Sequence, residues 1–277
     1  MSAPRRTKPA PSRRDFLKYA GAGAVCSVLP FGYSQVDTRW LSVEEEEIRL
    51  PLWDADGFRA VVLADVHANS AEQAEFAEIA AKAAVNEKPD VILIPGDHLN
   101  ASDSRHLRNL KRFTDAFADA KCPVLATLGN HDYSSGVEKI VRAFHDSPVR
   151  LLRNEIAEVG GVSVAGLDDA LYGKHRPEIL SDDRLSKSLL TMLHEPDFVD
   201  ELPRHVSLQV SGHSHGGQIC LPFGVALHTP RGAQRYIDGF YPEAPIPVFV
   251  TRGVGTTGAR YRLFCRPQVA VLTLRAA

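Results

Sequence analysis

The chain has 277 residues, 44% of them hydrophobic and 24% charged, enough to bury a sizeable core as one large domain or two small ones. No uninterrupted apolar run of about 18 residues occurs, which argues against a membrane-spanning helix. The formal charge of −2 is unevenly placed: residues 1–36 carry six Lys/Arg against Asp15, leaving 26 basic and 33 acidic residues beyond, a formal −7 that argues against general nucleic-acid binding.

Taken in chain order, the first 36 residues read as an address. Ser12-Arg13-Arg14-Asp15-Phe16-Leu17-Lys18 resembles the twin-arginine export motif, and a mildly apolar stretch, Tyr19 to Leu29, follows it. We expect 1–36 to be a twin-arginine signal or anchor, recognised by the twin-arginine translocation machinery, and 37–277 to be a single domain working in the periplasm or cell envelope. Ala22-Gly23-Ala24 suits cleavage; the alternative is an uncleaved anchor with peripheral membrane contact. Cys122, Cys220 and Cys265 remain beyond it, an odd number without C-x-x-C spacing, so neither a disulfide framework nor a structural zinc finger is expected. Cys122 and Cys220 adjoin expected strands and read as small buried hydrophobes.

Residues 37–56 hold Glu44-Glu45-Glu46-Glu47, read as a solvated lead-in, and then an edge strand from Ile48. Runs at 58–64, 90–95 and 123–128 are apolar on both faces, the pattern of buried strands. Between them, 70–87 and 102–120 carry helical stripes (Phe76, Ile79, Ala80, Ala83; Leu107, Leu110, Phe113, Phe117), and 136–145 is a third helix. This βα alternation predicts a parallel sheet covered by helices. After about residue 148 the chain turns mostly β, with strands expected at 149–152, 155–159, 162–166, 189–193, 206–210, 219–221, 248–251, 261–264 and 269–274, and a short helix near Phe198. Loops rich in Gly and Pro cover 222–247 and 252–258.

Polar residues of one chemistry recur at the strand ends: Asp65-Val66-His67, Gly96-Asp97, Gly129-Asn130-His131-Asp132, His194, and Gly212-His213-Ser214-His215. Strand ends of an open α/β sheet are where ligands usually sit. Two aspartates, an asparagine and four histidines offer mixed N/O ligation without thiolate, suited to zinc, manganese or iron rather than calcium. Such a set can hold two divalent ions about 3.5–4 Å apart, with a carboxylate bridging them. An export route for folded proteins suits a site loaded before transport.

The ordered series D-x-H, G-D, G-N-H-D, H and G-H-x-H resembles the calcineurin-like metallophosphoesterases over residues 58 to about 275. The resemblance implies an α/β fold, a four-layer αββα sandwich of two mixed sheets flanked by helices. It implies Asp65, His67 and His215 on one metal, Asn130, His194 and His213 on the other, and Asp97 bridging both. His131 would contact the phosphate and protonate the leaving oxygen, and Asp132 would orient His131. The two divalent ions, manganese, zinc or iron, would carry the hydroxide that attacks phosphorus in line. The expected activity is hydrolysis of phosphodiester or pyrophosphate bonds in a small-molecule or lipid-linked substrate. A phosphomonoesterase, a pyrophosphatase acting on UDP-2,3-diacylglucosamine at the membrane, and a metal-binding envelope protein without turnover are the alternatives. His98, Arg231 and Arg252 are candidate substrate contacts. Phe223, Val225, Leu227, Phe240, Tyr241 and Ile246 either pack their loop to the body or line an acyl-chain or membrane-facing groove.

Overall fold

The computed structural model describes Ser34 and residues 37–277; the twin-arginine motif and the apolar stretch behind it lie outside the described residues. The chain begins with β1 (Ser42–Leu50) and β2 (Phe58–Val62) and then alternates through α1 (Ala71–Asn86), β3 (Val91–Pro95), α2 (Ser104–Asp115), β4 (Val124–Thr127), the short α3 (Asn130–Ser134), α4 (Val137–His145) and β5 (Arg150–Leu151). Strands then dominate: β6 (Glu155–Val159), β7 (Val162–Gly166), β8 (Leu189–Met192), β9 (Leu208–Ser211), β10 (Cys220–Leu221), β11 (Val225–Ala226), β12 (Gly239–Tyr241), β13 (Val248–Val250) and β14 (Gln268–Ala276).

Ser70 starts α1, its hydroxyl accepting the Gln73 amide at 3.2 Å. Asp103 starts α2 by accepting the amides of Arg105 and His106 at 3.0 and 3.1 Å, and the helix ends at Asp115, short of the expected 120. Two six-stranded sheets result, ordered β1-β14-β2-β3-β4-β5 and β12-β13-β9-β8-β7-β6. In the first, β2 to β5 run parallel, as the βα alternation requires, and β14 enters antiparallel to β2 and parallel to β1. In the second, β7, β8, β9 and β13 are parallel, and the edges β6 and β12 are antiparallel.

Side-chain alternation explains why these strands are apolar on both faces. Ala60 and Val62, like Val91 and Leu93, pack between the sheets against Val164, Leu190, Met192, Leu208, Val210 and Phe249. Val61, Ile92 and Ile94 point the other way, under Ala74, Ala77, Ala81 and Ala84 of α1 and Leu110 and Phe113 of α2. The outer face of the second sheet is covered by Leu180, Val199 and Leu202. These come from 3-10 turns at Pro177–Ser181 and Pro196–Glu201. The molecule is therefore the expected sandwich of two mixed sheets, with 3-10 turns as its fourth layer. Each turn starts at a proline and is five or six residues long, which leaves little room for an α-helix. Among the described residues, no helix is long and apolar enough to cross a membrane.

Two local expectations are corrected. The edge strand starts at Ser42, so the acidic run lies inside β1, Glu44 to Glu47 paired with Ala270 to Thr273. Pairing uses backbone groups, and Glu45, Glu46 and Glu47 stay exposed, a charged edge that discourages further strand addition. The segment 261–264 forms only one bridge, Leu263 to Ile219, because its central residue, Arg262, is turned inward and fully buried.

Candidate metal centre

Six of the seven expected ligands meet where strands of both sheets end, and Asn130 stands at the end of a neighbouring strand. Asp65 and His67 follow β2, Asp97 follows β3, Asn130 opens α3 after β4, His194 follows β8, and His213 and His215 follow β9. Ligand atoms of Asp65, His67 and His215 lie within 4.8 Å of one another, as do those of Asp97, His194 and His213. Asp97 Oδ2 joins the groups, 3.6 Å from His67 Nε2 and 3.2 Å from His194 Nε2. Asp65 Oδ1 is 3.6 Å from His215 Nε2. The carboxylates and all four imidazoles are buried.

Their backbone is unusual. Asp65, His67, Asp97, His213 and His215 all have left-handed φ, between 42° and 71°. Non-glycine residues rarely adopt this conformation, and it concentrates at functional sites. It bends the chain where each strand ends, while the segments after β2 and β3 stay bonded to each other from Asp65 to Ala68. Neighbouring glycines make room: a Cβ at Gly129 would lie 2.4 Å from Asp97 Oδ1, and one at Gly212 would lie 2.6 Å from Asp65 Oδ2.

Other groups aim the ligands. His194 Nδ1 bonds the Pro95 carbonyl at 2.7 Å, which directs Nε2 into the centre. His67 Nδ1 meets Asn100 Oδ1 at 2.6 Å, and His213 Nε2 meets the Arg231 carbonyl at 2.9 Å. Asp65 accepts the His213 amide through both oxygens, tying the two sheets together. Arg262, buried behind the site, donates to the carbonyls of His215, Arg252, Gly253, Gly255 and Cys265. Sequence reasoning named neither Asn100 nor Arg262; an arginine in an otherwise apolar strand-like run, Tyr261 to Phe264, was the available sign.

Burial sets the electrostatics. It pushes Asp65 up to about 7, against the nearby His194 and with the help of Asp97. Burial would raise Asp97 too, but His194, with His67 and His131, holds it well below the carboxylate range. Burial opposes a charge on His194, yet Asp97 and Asp65 outweigh it and lift that imidazole well above its ordinary value. Burial lowers His67 and His213 to about 4 and His215 well below its usual value, so these three are neutral donors at pH 7. Asn130 Oδ1 is buried without a hydrogen-bond partner. Two carboxylates and three neutral imidazoles buried together, with an orphaned amide oxygen at the next strand end, are a donor set that suits a pair of divalent ions.

The remaining expected site residues divide. The half-buried His131 lies over the centre, its ring edge-on to His67 at 5.0 Å and its amide bonded to Asp97 Oδ1 at 2.9 Å. Asp132 does not orient it: its carboxylate accepts the amides of Asp97, His98, Leu99 and Gly129, fixing the loop that presents Asp97. His98 is fully buried, bonded to the Thr127 carbonyl and packed on Phe144, and so is closed to substrate. Arg252 is held by Glu44 and Asp238, which leaves it a structural ion pair rather than a phosphate contact. Arg231 is exposed and meets the site through its backbone carbonyl.

Comparison with known proteins finds a family model and several relatives. The family model described as calcineurin-like phosphoesterase matches residues 58–217. The uncharacterized metallophosphoesterase YkuE of Bacillus subtilis is 30% identical, over 96% of this chain and 98% of its own. Phosphodiesterase YaeI of Escherichia coli is 28% identical, over 95% and 99%. An uncharacterized metallophosphoesterase of Aquifex aeolicus is 27% identical, over 90% and 97%.

Proposed function

This chain belongs to the calcineurin-like phosphoesterase family, and on that premise we propose that it hydrolyses phosphodiester or pyrophosphate bonds at a centre of two divalent metals. The observation that carries the reading is Asp97 Oδ2, which belongs to one buried Asp/His group with His194 and reaches His67 of the other at 3.6 Å. Manganese, zinc or iron held there would supply positive charge to the phosphate oxygens and acidify a water for attack. Asp65, His67 and His215 would hold one ion, Asn130, His194 and His213 the other, and Asp97 would contribute to both. His131, half-exposed above the centre, binds the phosphate and gives a proton to the leaving oxygen. Asp132 keeps the Asp97 loop in place. Similarity to a protein named phosphodiesterase favours diester over monoester substrates. The twin-arginine motif at Ser12 to Lys18 supports work outside the cytoplasm, in the periplasm or cell envelope.

The test is hydrolysis of bis-p-nitrophenyl phosphate by the full chain, metal-stripped and then reloaded with manganese, zinc or iron, beside Asp97→Ala and His131→Ala. Metal-dependent turnover lost in both variants is the expected result. Two ions bound without turnover under any metal would overturn the diesterase reading, and faster cleavage of p-nitrophenyl phosphate would replace it with a monoesterase.

A further inference from the structure

Ten large hydrophobic side chains are exposed among the described residues, and four of them fall within seven positions: Leu221, Phe223, Val225 and Leu227. They belong to the β10–β11 hairpin, closed by the pairs Cys220–Ala226 and Leu221–Val225. Phe223 is at its tip, 103% exposed and left-handed at φ 72°. A phenylalanine there forgoes burial and takes a backbone state that a glycine would hold more easily. Clustered apolar exposure on a short, pinned hairpin marks a contact surface. The hairpin is pinned because Cys220 donates to Leu263 at 2.9 Å and Leu227 to Ile219 at 3.2 Å.

The surroundings of the hairpin name the contacting medium. Phe223 and Phe264 line one hollow together with Asp37, Arg252, Cys265 and Arg266. Phe264 is itself 41% exposed, and the Arg266 guanidinium lies 4.7 Å over the ring of the exposed Trp40. Apolar rings projecting outward, a tryptophan at the rim and an arginine laid along it are what a lipid interface accepts. Of the three acids of the hollow, Glu44 and Asp238 are paired with Arg252, and Asp37 accepts the Cys265 amide.

The chain enters the body on this same face. Asp37 Oδ2 accepts the Cys265 amide at 3.1 Å, and Thr38 Oγ1 accepts the Arg262 amide at 2.7 Å. Asp37 is eight residues beyond Leu29, the end of the apolar N-terminal stretch. That spacing reaches at most about 27 Å, so a bilayer holding the stretch keeps this face within one membrane thickness.

We infer that the β10–β11 hairpin, with Phe264 and Trp40, seats on the phospholipid bilayer that holds the N-terminal apolar segment, Phe223 entering the acyl region. The inference rests on the envelope location given above and on the N-terminal stretch staying uncleaved as an anchor, and it is independent of the hydrolytic reading. Gly216, next to His215, lines the same hollow, so the seated face lies one residue from an expected metal ligand.

The test uses the full chain on vesicles of phosphatidylethanolamine and phosphatidylglycerol with brominated acyl chains, which quench indole on contact. Trp40→Phe leaves the buried Trp53 as background, and Phe223→Trp added to it reports the hairpin tip. The tip emission is expected to fall roughly twofold or more on brominated vesicles and not on unbrominated ones. In the otherwise natural chain, Phe223→Asp should relieve the quenching of Trp40 while metal content and turnover of a soluble diester stay unchanged. Vesicle-bound protein with an unquenched tip overturns the inference. So does a tip whose emission moves to the blue without lipid as protein concentration rises, which assigns the face to a second copy of the chain. A chain that stays in solution beside the vesicles overturns the inference together with the membrane-held segment, and the readout needs no catalysis in any case.

Discussion

Asp97 touches both halves of the centre, whereas the His131 ring rests edge-on against His67 and does not meet Asp132, and the two should fail differently. Asp97→Ala should lose both ions, read by metal analysis of the purified chain. His131→Ala should keep them and lose about 10²–10⁴-fold in turnover, the usual worth of a positioned proton donor. Asp65 gives a pH prediction. With its metal-free carboxyl raised to about 7, protons compete with metal below that pH, and acid should weaken binding while binding releases protons. Calorimetric titration of stripped protein with Mn²⁺ in buffers of differing ionisation enthalpy should show that release, with affinity falling from pH 8 to pH 6. At this scale the ligand types and their order were legible in the sequence, since Asp, His and Asn after apolar strands announce their chemistry. The partners of Asp132, His98 and Arg252 were not. A carboxylate reads the same whether it faces an imidazole or four backbone amides, and only the chain bend at Asp97 decides which.

The elements that carry the ligands are bends at strand ends, and two devices hold them in shape. One is the close approach at Gly129, where any side chain strikes Asp97. Gly129→Ala should abolish metal retention while leaving the far-ultraviolet circular dichroism unchanged. The other is Arg262, the fully buried cation that gathers the carbonyls of the 252–255 loop and of His215. Arg262→Met leaves five carbonyl oxygens short of a donor, so urea unfolding should show a loss of about 3 kcal/mol, with lower metal content. Strands 58–62, 91–95 and 124–127 and helix α1 were plain from pattern, because a strand covered on both faces must be apolar throughout. The helix α3 was hidden: Asn130-His131-Asp132 looks like a ligand loop, and its five residues are too few to show a period. The acidic run disguised the start of β1, since an edge strand asks little of side chains that face water.

Across the whole molecule the centre joins two sheets that also meet through their apolar faces and through the bonds of Gln268 to Thr251 and Arg252. Metal bound there stabilises the folded chain alone, by about 2.7 kcal/mol per ion at a hundredfold excess over its dissociation constant. Chelation should therefore lower the melting temperature seen by calorimetry, and re-adding metal should restore it. The order of the first sheet has a further consequence. β14, at 268–276, lies between β1 and β2, so the sheet presenting Asp65 and Asp97 has a gap until residue 276 is in place. On the ribosome, where earlier segments collapse first, no shorter nascent chain has a closed first sheet. A product broken off before β14 is left with β1 and β2 unjoined, an open edge in the sheet that presents Asp65 and Asp97.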